Sequence, residues 1–301
     1  MNTLLYLATV MLWGTTWIAI HWQVGDVTAL VSVFYRFAIA GALFLPILFL
    51  LGKLQKTDKR DHCFFLLQGA CLFSLNFVCF YTASQYIISG LISVIFALAT
   101  IFNALNQWLI WRDKPTVTIY LAGLLGLSGL VLLFWQQLSV ATSIQDLIYG
   151  IGFSVAGTYC FSLGNMISVR HSKNGIKPWT SNAYGMIYGV AILLLCIGLS
   201  GTQWQWDNRP LYLASLIYLA IPGSIIGFTV YLALVARIGA NQAAYTTVLF
   251  PIVALTISIF VEGYTLDITA VLGLILVITG VLVSSRGSQL LAWLRGRRAA
   301  A

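Results

Sequence analysis

Aromatic and neutral polar side chains recur inside long apolar stretches of this 301-residue chain, where they could form a binding cavity. Trp13, Thr16 and Trp17 are spaced so that one face of a helix would carry all three. Polar groups are costly in lipid, so they turn toward the interior of a helix bundle or toward a cavity. The predicted cavity residues are Trp13, Trp17, Asn76, Asn106, Tyr159, Asn165 and Tyr245.

The predicted lining combines aromatic rings with amides and hydroxyls, which suits an amphiphilic solute. Rings offer apolar or cation–π contact, and amides form hydrogen bonds with groups of either charge. An alternative remains open for each polar residue, because Asn, Ser and Thr also hydrogen-bond between transmembrane helices and hold them together.

Two ionisable residues, Arg36 and Glu262, lie in or at the end of apolar stretches. Each would be costly alone in lipid. Our hypothesis is that they pair with each other, or with backbone carbonyls, and help to close an outer gate; structural pairing without gating is the alternative. No acidic residue is expected mid-membrane, so proton coupling would require Glu262, His21 or a proton carried by the substrate. Facilitation or exchange would require none of these.

The elements that must position these side chains are membrane-spanning helices. The chain is 60% hydrophobic and 8% charged, whereas a soluble domain carries about 25% charged residues. A helix needs roughly 20 apolar residues to span a bilayer. We therefore predict an all-α polytopic membrane protein with ten spans. They lie at about 3–20, 28–51, 62–83, 89–111, 116–136, 146–169, 178–199, 210–235, 241–262 and 268–285.

The basic residues predict the orientation of the chain, with both termini in the cytoplasm. Fourteen of the sixteen Lys and Arg residues then lie on the cytoplasmic side, Arg209 lies outside, and Arg36 lies within a span. Because these cations sit in short loops between spans, nucleic acid is not an expected partner. The cytoplasmic ones are Lys53, Lys56, Lys59, Arg60, Arg112, Lys114, Arg170, Lys173, Lys177, Arg237, Arg286, Arg295, Arg297 and Arg298.

Two halves of five spans each must run in opposite senses, because five is odd. An offset of 151 residues pairs Phe77 with Phe228 and Gly129 with Gly280, among others. We predict inverted repeats at 1–137 and 138–285, followed by a basic cytoplasmic tail at 286–301. The tail is either a short interfacial helix or disordered.

An enzyme is not expected. Acid–base or metal chemistry in a membrane requires intramembrane His or paired carboxylates, whereas the three histidines lie near the ends of spans. The five cysteines form no CxxC or Cys/His cluster. We predict no cofactor and no metal site.

Several short patterns together resemble the ten-span EamA-type branch of the drug/metabolite transporter superfamily. Trp13-Gly14 followed by Thr15-Thr16-Trp17 is similar to the family's first helix, and Arg36-Phe37 with Ala40 to its second. The patterns similar to its ninth and tenth helices are Pro251, Glu262-Gly263, Gly273 and Gly280. The first half departs from this pattern, with Thr100 and Trp111 at the positions that match Pro251 and Glu262.

This resemblance implies a bacterial inner-membrane exporter of amino acids, metabolites or drugs, with a cavity walled by helices one, three, four, six, eight and nine. We predict a secondary transporter of small metabolites such as amino acids, working by alternating access as a monomer or weak dimer. Its partners would be a small solute and membrane lipids, with protons if transport is coupled. The rivals are a multidrug, lipid or sugar-conjugate translocator of the same fold, and a passive channel.

Overall fold

A computed structural model gives the architecture of the chain. It describes residues 2–112, 114, 117–140, 143–243 and 246–298. Within these ranges the side chains of residues 2, 136–140, 241–242, 248 and 284–298 lie outside the description.

Ten long helices account for most of the described residues, as predicted. They are α1 (Asn2–His21), α2 (Ala29–Leu50), α3 (Lys59–Ala83), α4 (Ser89–Trp111), α5 (Val117–Val140), α6 (Ile144–Lys173), α7 (Pro178–Ser200), α8 (Pro210–Ile238), α9 (Thr246–Val261) and α10 (Ile268–Arg298).

Eight of these helices, α1 to α8, are long and apolar enough to cross a membrane. The two others contribute shorter apolar stretches, Leu249–Val261 in α9 and Ile268–Val283 in α10. Span nine was predicted to begin at residue 241, whereas α9 begins at Thr246, after a short helix at Ala240–Ala243. At the other end of the chain, the backbone of α10 continues as a helix through Arg298.

The third helix of each half contains a π-helical segment. It covers Cys71–Leu75 in α3 and Leu219–Ile226 in α8, and the offset of 151 residues places the first within the second. In each segment a serine hydroxyl reaches back five residues, Ser74 Oγ to the Gly69 carbonyl at 3.1 Å and Ser224 Oγ to the Leu219 carbonyl at 2.8 Å. Such π segments occur often at functional sites.

The last helices of the two halves, α5 and α10, pack at glycines. A Cβ atom on Gly129 would lie 2.6 Å from the Gly273 carbonyl oxygen, and one on Gly280 would lie 2.8 Å from that of Ala122. The offset of 151 pairs Gly129 with Gly280 and Ala122 with Gly273, so the two contacts are equivalent in the two halves. Small residues allow this backbone approach in membranes. The predicted fold, ten helices in two inverted repeats, is confirmed.

The end of α9 is fixed by a glycine turn. Gly263 has φ +68°, and the Tyr264 N–H donates to the Ser258 carbonyl at 3.1 Å. Glycine at positive φ is common directly after the C-terminus of a helix. The turn holds Glu262 against α1 and α4 at the end of the bundle where α1 finishes, which we call the His21 end.

Candidate binding cavity

A small central cavity of about 30 Å³ lies between the two repeats. Eight of its twelve lining residues are aromatic, and seven helices contribute to it: α1, α2, α3, α4, α6, α8 and α9. The family resemblance implied all of these except α2. The lining residues are Trp13, Thr16, Trp17, Ile20, Arg36, Asn76, Phe77, Phe80, Phe96, Phe161, Phe228 and Phe250.

Trp13 anchors the ring cluster on one side of the cavity. Its ring centroid lies 4.7 Å from that of Phe228 and 5.9 Å from that of Phe161. Its Nε1–H donates to the Gly223 carbonyl in the π segment of α8 at 3.0 Å. Gly227 makes this approach possible, because a Cβ atom there would lie 2.4 Å from the indole nitrogen. The π segment and the glycine that follows it therefore position Trp13.

Trp17 lies one helical turn further along α1 and faces the same cavity. It packs edge-on against Phe80 and Phe96, with ring centroids 5.3 and 5.4 Å away. Its side chain is buried, yet the indole N–H has no hydrogen-bond partner among the described residues.

Asn76 follows directly after the π segment of α3. Its Oδ1 accepts a hydrogen bond from the Phe77 backbone N–H at 2.8 Å. Its Nδ2 group is buried without a described partner. The backbone of the next residue thus pairs with the amide oxygen of this cavity-lining side chain and leaves its amide N–H group unpaired.

Arg36 is the cavity's single cation among the described lining residues, and only 1% of it is exposed. Its Nε donates to Ser224 Oγ at 2.9 Å, and its guanidinium lies 4.2 Å from the Phe77 ring centroid. Ser224 can accept this bond because its own proton goes to the Leu219 carbonyl. Nη1 has no described partner.

A second polar pair supports Arg36 from outside the cavity. The Tyr81 hydroxyl lies beside the guanidinium and donates to Gln23 Oε1 at 2.6 Å. Neither Tyr81 nor Gln23 was among the predicted site residues. Both lie close to the ends of predicted spans, where polar residues are common, so their residue types did not indicate a functional site.

The structure brings Trp13, Trp17, Asn76 and Arg36 together, but it does not place every predicted cavity residue there. Asn106 donates to Ser162 at 2.8 Å, and Asn165 donates to Asn103 at 3.4 Å. Both bonds join α4 to α6, as the helix-packing alternative predicted.

Two further predicted cavity residues lie elsewhere. Tyr159 is 39% exposed at the protein surface, where its ring packs edge-on against Phe102. It follows Thr158, which is fully buried, so a rotation of about 100° per residue turns Tyr159 away from the interior. Tyr245 lies outside the described residues.

Glu262 lies at the His21 end, and the predicted pair between Arg36 and Glu262 does not form. The Glu262 carboxylate accepts from the Ser89 N–H at 3.0 Å and from Ser89 Oγ at 2.6 Å. Ser258 Oγ also donates to it, and His21 Nδ1 lies 3.3 Å away. The positive N-terminus of α4 and two hydroxyls thus take the place of a cation.

These contacts join three helices at one point. Glu262 and Ser258 belong to α9, Ser89 begins α4, and His21 ends α1. The Glu262 side chain is 2% exposed, while that of His21 is 40% exposed. Sequence reasoning missed Ser89 and Ser258, although Ser258 precedes Glu262 by one helical turn and that spacing was visible.

Ten hydrophobic helices in two inverted repeats, with a cavity between the halves, define a class of membrane transporters. The sequence profile of the EamA-like transporter family matches residues 2–135 and 148–286. The chain belongs to this family. It is a multi-pass membrane transporter and not an enzyme.

Relatives from bacteria and archaea match over most of the chain. The uncharacterized transporter YyaM of Bacillus subtilis is 24% identical, covering 90% of this chain and 89% of its own length. Protein PagO of Salmonella typhimurium is 23% identical, and the match covers 94% of this chain and 92% of PagO. A solved structure superposes with a TM-score of 0.72 at 15% identity, covering 96% of this chain and 98% of its own, which shows the shared fold.

Proposed function

We propose that this chain is a secondary transporter of the bacterial inner membrane that exports small amphiphilic metabolites, such as amino acids, by alternating access. The observation that carries this proposal is the central cavity, in which aromatic rings surround Asn76, Trp17 and Arg36. Rings can hold the apolar part of a solute, while the indole, amide and guanidinium groups can bind its polar part.

The proposed orientation follows the distribution of cations, with both termini in the cytoplasm. The His21 end then faces the periplasm, and the cluster of Glu262, Ser89 and Ser258 closes that side. We retain 1–137 and 138–285 as the two moving units and 286–301 as a cytoplasmic tail, in a monomer or weak dimer. If protons drive export, the neighbouring His21 and Glu262 are our candidates to carry them.

Solute counterflow tests the proposal. Expressing cells are first screened for resistance to toxic amino-acid analogues and dyes, and the purified protein is then reconstituted in liposomes with a solute that the cells resist. We expect saturable uptake that is stimulated by the same solute on the opposite side. Flux that rises linearly with concentration would indicate a channel and contradict the proposal.

Two cavity variants test the site in the same assay. Trp17→Ala and Asn76→Ala should each lower counterflow at least tenfold at equal protein abundance, because each removes a group that faces the solute. Trp135→Ala is the matched control, since Trp135 is 57% exposed on α5. Unchanged transport in both cavity variants would refute the cavity assignment.

A multidrug translocator of the same fold is the second candidate, favoured by the eight aromatic residues of the lining. It would accept several unrelated dyes with similar affinity. A lipid or sugar-conjugate translocator would need a more basic cavity. In this protein Arg36 is the one cation among the described lining residues of the cavity. The resistance screen separates these classes, because resistance confined to amino-acid analogues favours the narrower metabolite exporter.

A further inference from the structure

Three buried N–H groups that belong to cavity-lining residues have no hydrogen-bond partner among the described residues. They are Arg36 Nη1, Trp17 Nε1 and Asn76 Nδ2. A buried polar group without a partner is destabilising, and it is commonly satisfied by water or a ligand. Since the three groups belong to α2, α1 and α3, their convergence comes from the fold and not from one local turn.

All three unpaired groups are donors. Of the lining side chains with an oxygen acceptor, Asn76 Oδ1 already accepts from the Phe77 N–H, and the Thr16 hydroxyl donates its proton to the Trp13 carbonyl. No carboxylate belongs to the described lining, and the Glu262 carboxylate is engaged by Ser89 and Ser258 at the His21 end. The described cavity therefore presents one positive charge and an excess of hydrogen-bond donors.

We propose that the cavity selects organic monocarboxylates with an aromatic or apolar body. This inference rests on the transport function proposed above and names the substrate class. The solute carboxylate would accept hydrogen bonds from Arg36, Trp17 and Asn76, since charged donors and acceptors form the stronger hydrogen bonds. Its apolar body would pack among the surrounding rings.

The single cation sets the preferred charge of the solute. One carboxylate neutralises Arg36, whereas a dianion such as a phosphate monoester would leave one negative charge uncompensated in an apolar site. An amine is disfavoured by the charge of Arg36. Ring faces can attract an ammonium group, but the Phe77 ring already lies 4.2 Å from the guanidinium. A zwitterionic amino acid should therefore bind less tightly than the corresponding acid.

Three probes that share one ring and differ in charge test this inference: phenylacetate, L-phenylalanine and phenethylamine. Calorimetric titration of the purified full chain at pH 7 should give the tightest binding for phenylacetate, at least tenfold tighter than for phenethylamine, with L-phenylalanine between them. The reverse order, equal affinities, or no detectable binding of phenylacetate would overturn the inference.

Variants locate the carboxylate within the cavity. Arg36→Gln should weaken phenylacetate binding at least tenfold and leave phenethylamine binding unchanged or tighter. Arg237→Gln is the matched control, because it removes the same charge from an exposed position at the end of α8. A loss of affinity for all three probes by the same factor would contradict a carboxylate contact.

Trp17→Phe provides a second variant if Arg36→Gln fails to fold. It retains an aromatic ring and removes the N–H, so phenylacetate affinity should fall about three- to tenfold, as expected for one hydrogen bond. Trp135→Phe is its control at the exposed surface. No change in Trp17→Phe would contradict the assigned donor.

The same probes separate this inference from the proposed function. Charge-selective binding of phenylacetate without counterflow would leave the carboxylate site standing and remove the transporter mechanism. Counterflow of another solute, combined with no preference among the three probes, would preserve the transport proposal and overturn the carboxylate inference.

Discussion

Replacing Glu262 with glutamine is expected to open the His21 end of the bundle. The Glu262 carboxylate accepts hydrogen bonds from Ser89 and Ser258 and lies 3.3 Å from His21 Nδ1. A hydrogen bond to a charged group contributes about 1.5–3 kcal/mol. Because glutamine removes the charge and places a donor against other donors, we expect at least a tenfold shift toward the open state, or about 1.4 kcal/mol.

The measurement is the labelling rate of a cysteine at position 16, in the cavity, by a membrane-impermeant thiol reagent added outside. Glu262→Gln should raise this rate at least tenfold. Asp26→Asn is the control, because Asp26 is an exposed acid on the same side of the predicted membrane. Equal rates in the two variants would show that Glu262 has no part in closure.

Replacing Gly129 with valine is expected to prevent stable packing of the two repeats. A Cβ atom at this position would lie 2.6 Å from the Gly273 carbonyl oxygen and 2.7 Å from Val277 Cγ2. Backbone cannot rotate aside as a side chain can, so α5 and α10 must separate. Overpacking of this kind costs about 1–3 kcal/mol or more. We expect a large fall in the thermal midpoint in detergent, or no recoverable folded protein.

Gly123→Val is the matched control for this substitution. It lies on the same helix, and a Cβ atom there would meet nothing within 4 Å. Both variants replace glycine with valine in the same helix, so the change in helix propensity is the same. The difference between their thermal midpoints therefore isolates the contact with α10. Equal midpoints would contradict the close packing of α5 on α10.

The fold could be predicted largely because the bilayer imposes it. Apolar stretches of fixed length, the breaks between them and the odd number of spans per half all follow from the sequence. The offset that pairs Gly129 with Gly280 supported the repeat, and in the structure the same offset relates the contact of Gly129 with Gly273 to that of Gly280 with Ala122. The π segments were not predicted, because Cys71–Leu75 has no sequence feature that separates it from ordinary helix.

The cavity could be predicted only in part. Trp13, Trp17 and Asn76 were identified because polar or aromatic groups at helical spacing stand out in an apolar span. Phe80, Phe161 and Phe228 share helix faces with polar residues in the sequence. In contrast, Phe96 and Phe250 could not be identified, because the residue type alone does not show whether a ring faces a cavity or lipid. These two rings belong to the site because α4 and α9 pack against α1.

The charged residues show where pairing rules fail. Because ionisable side chains are rare within the predicted spans, Arg36 and Glu262 were expected to form an ion pair. Instead Arg36 is held by a hydroxyl and an aromatic ring, and Glu262 by a helix N-terminus and two hydroxyls. Such neutral partners are too common in the sequence to be chosen in advance.

Alternating access to Thr16 tests the central claim most directly. Thr16 lines the cavity with 6% of its surface exposed, and Thr16→Cys would carry the single thiol in a background without the five native cysteines. Impermeant reagents applied to oriented membranes should label it from either face, and phenylacetate or a transported solute should protect it. We expect Glu262→Gln to raise labelling from the outside and lower it from the inside. Labelling that rises from both faces together, or that never occurs from one face in any variant, would contradict a carrier with a central, alternately exposed cavity.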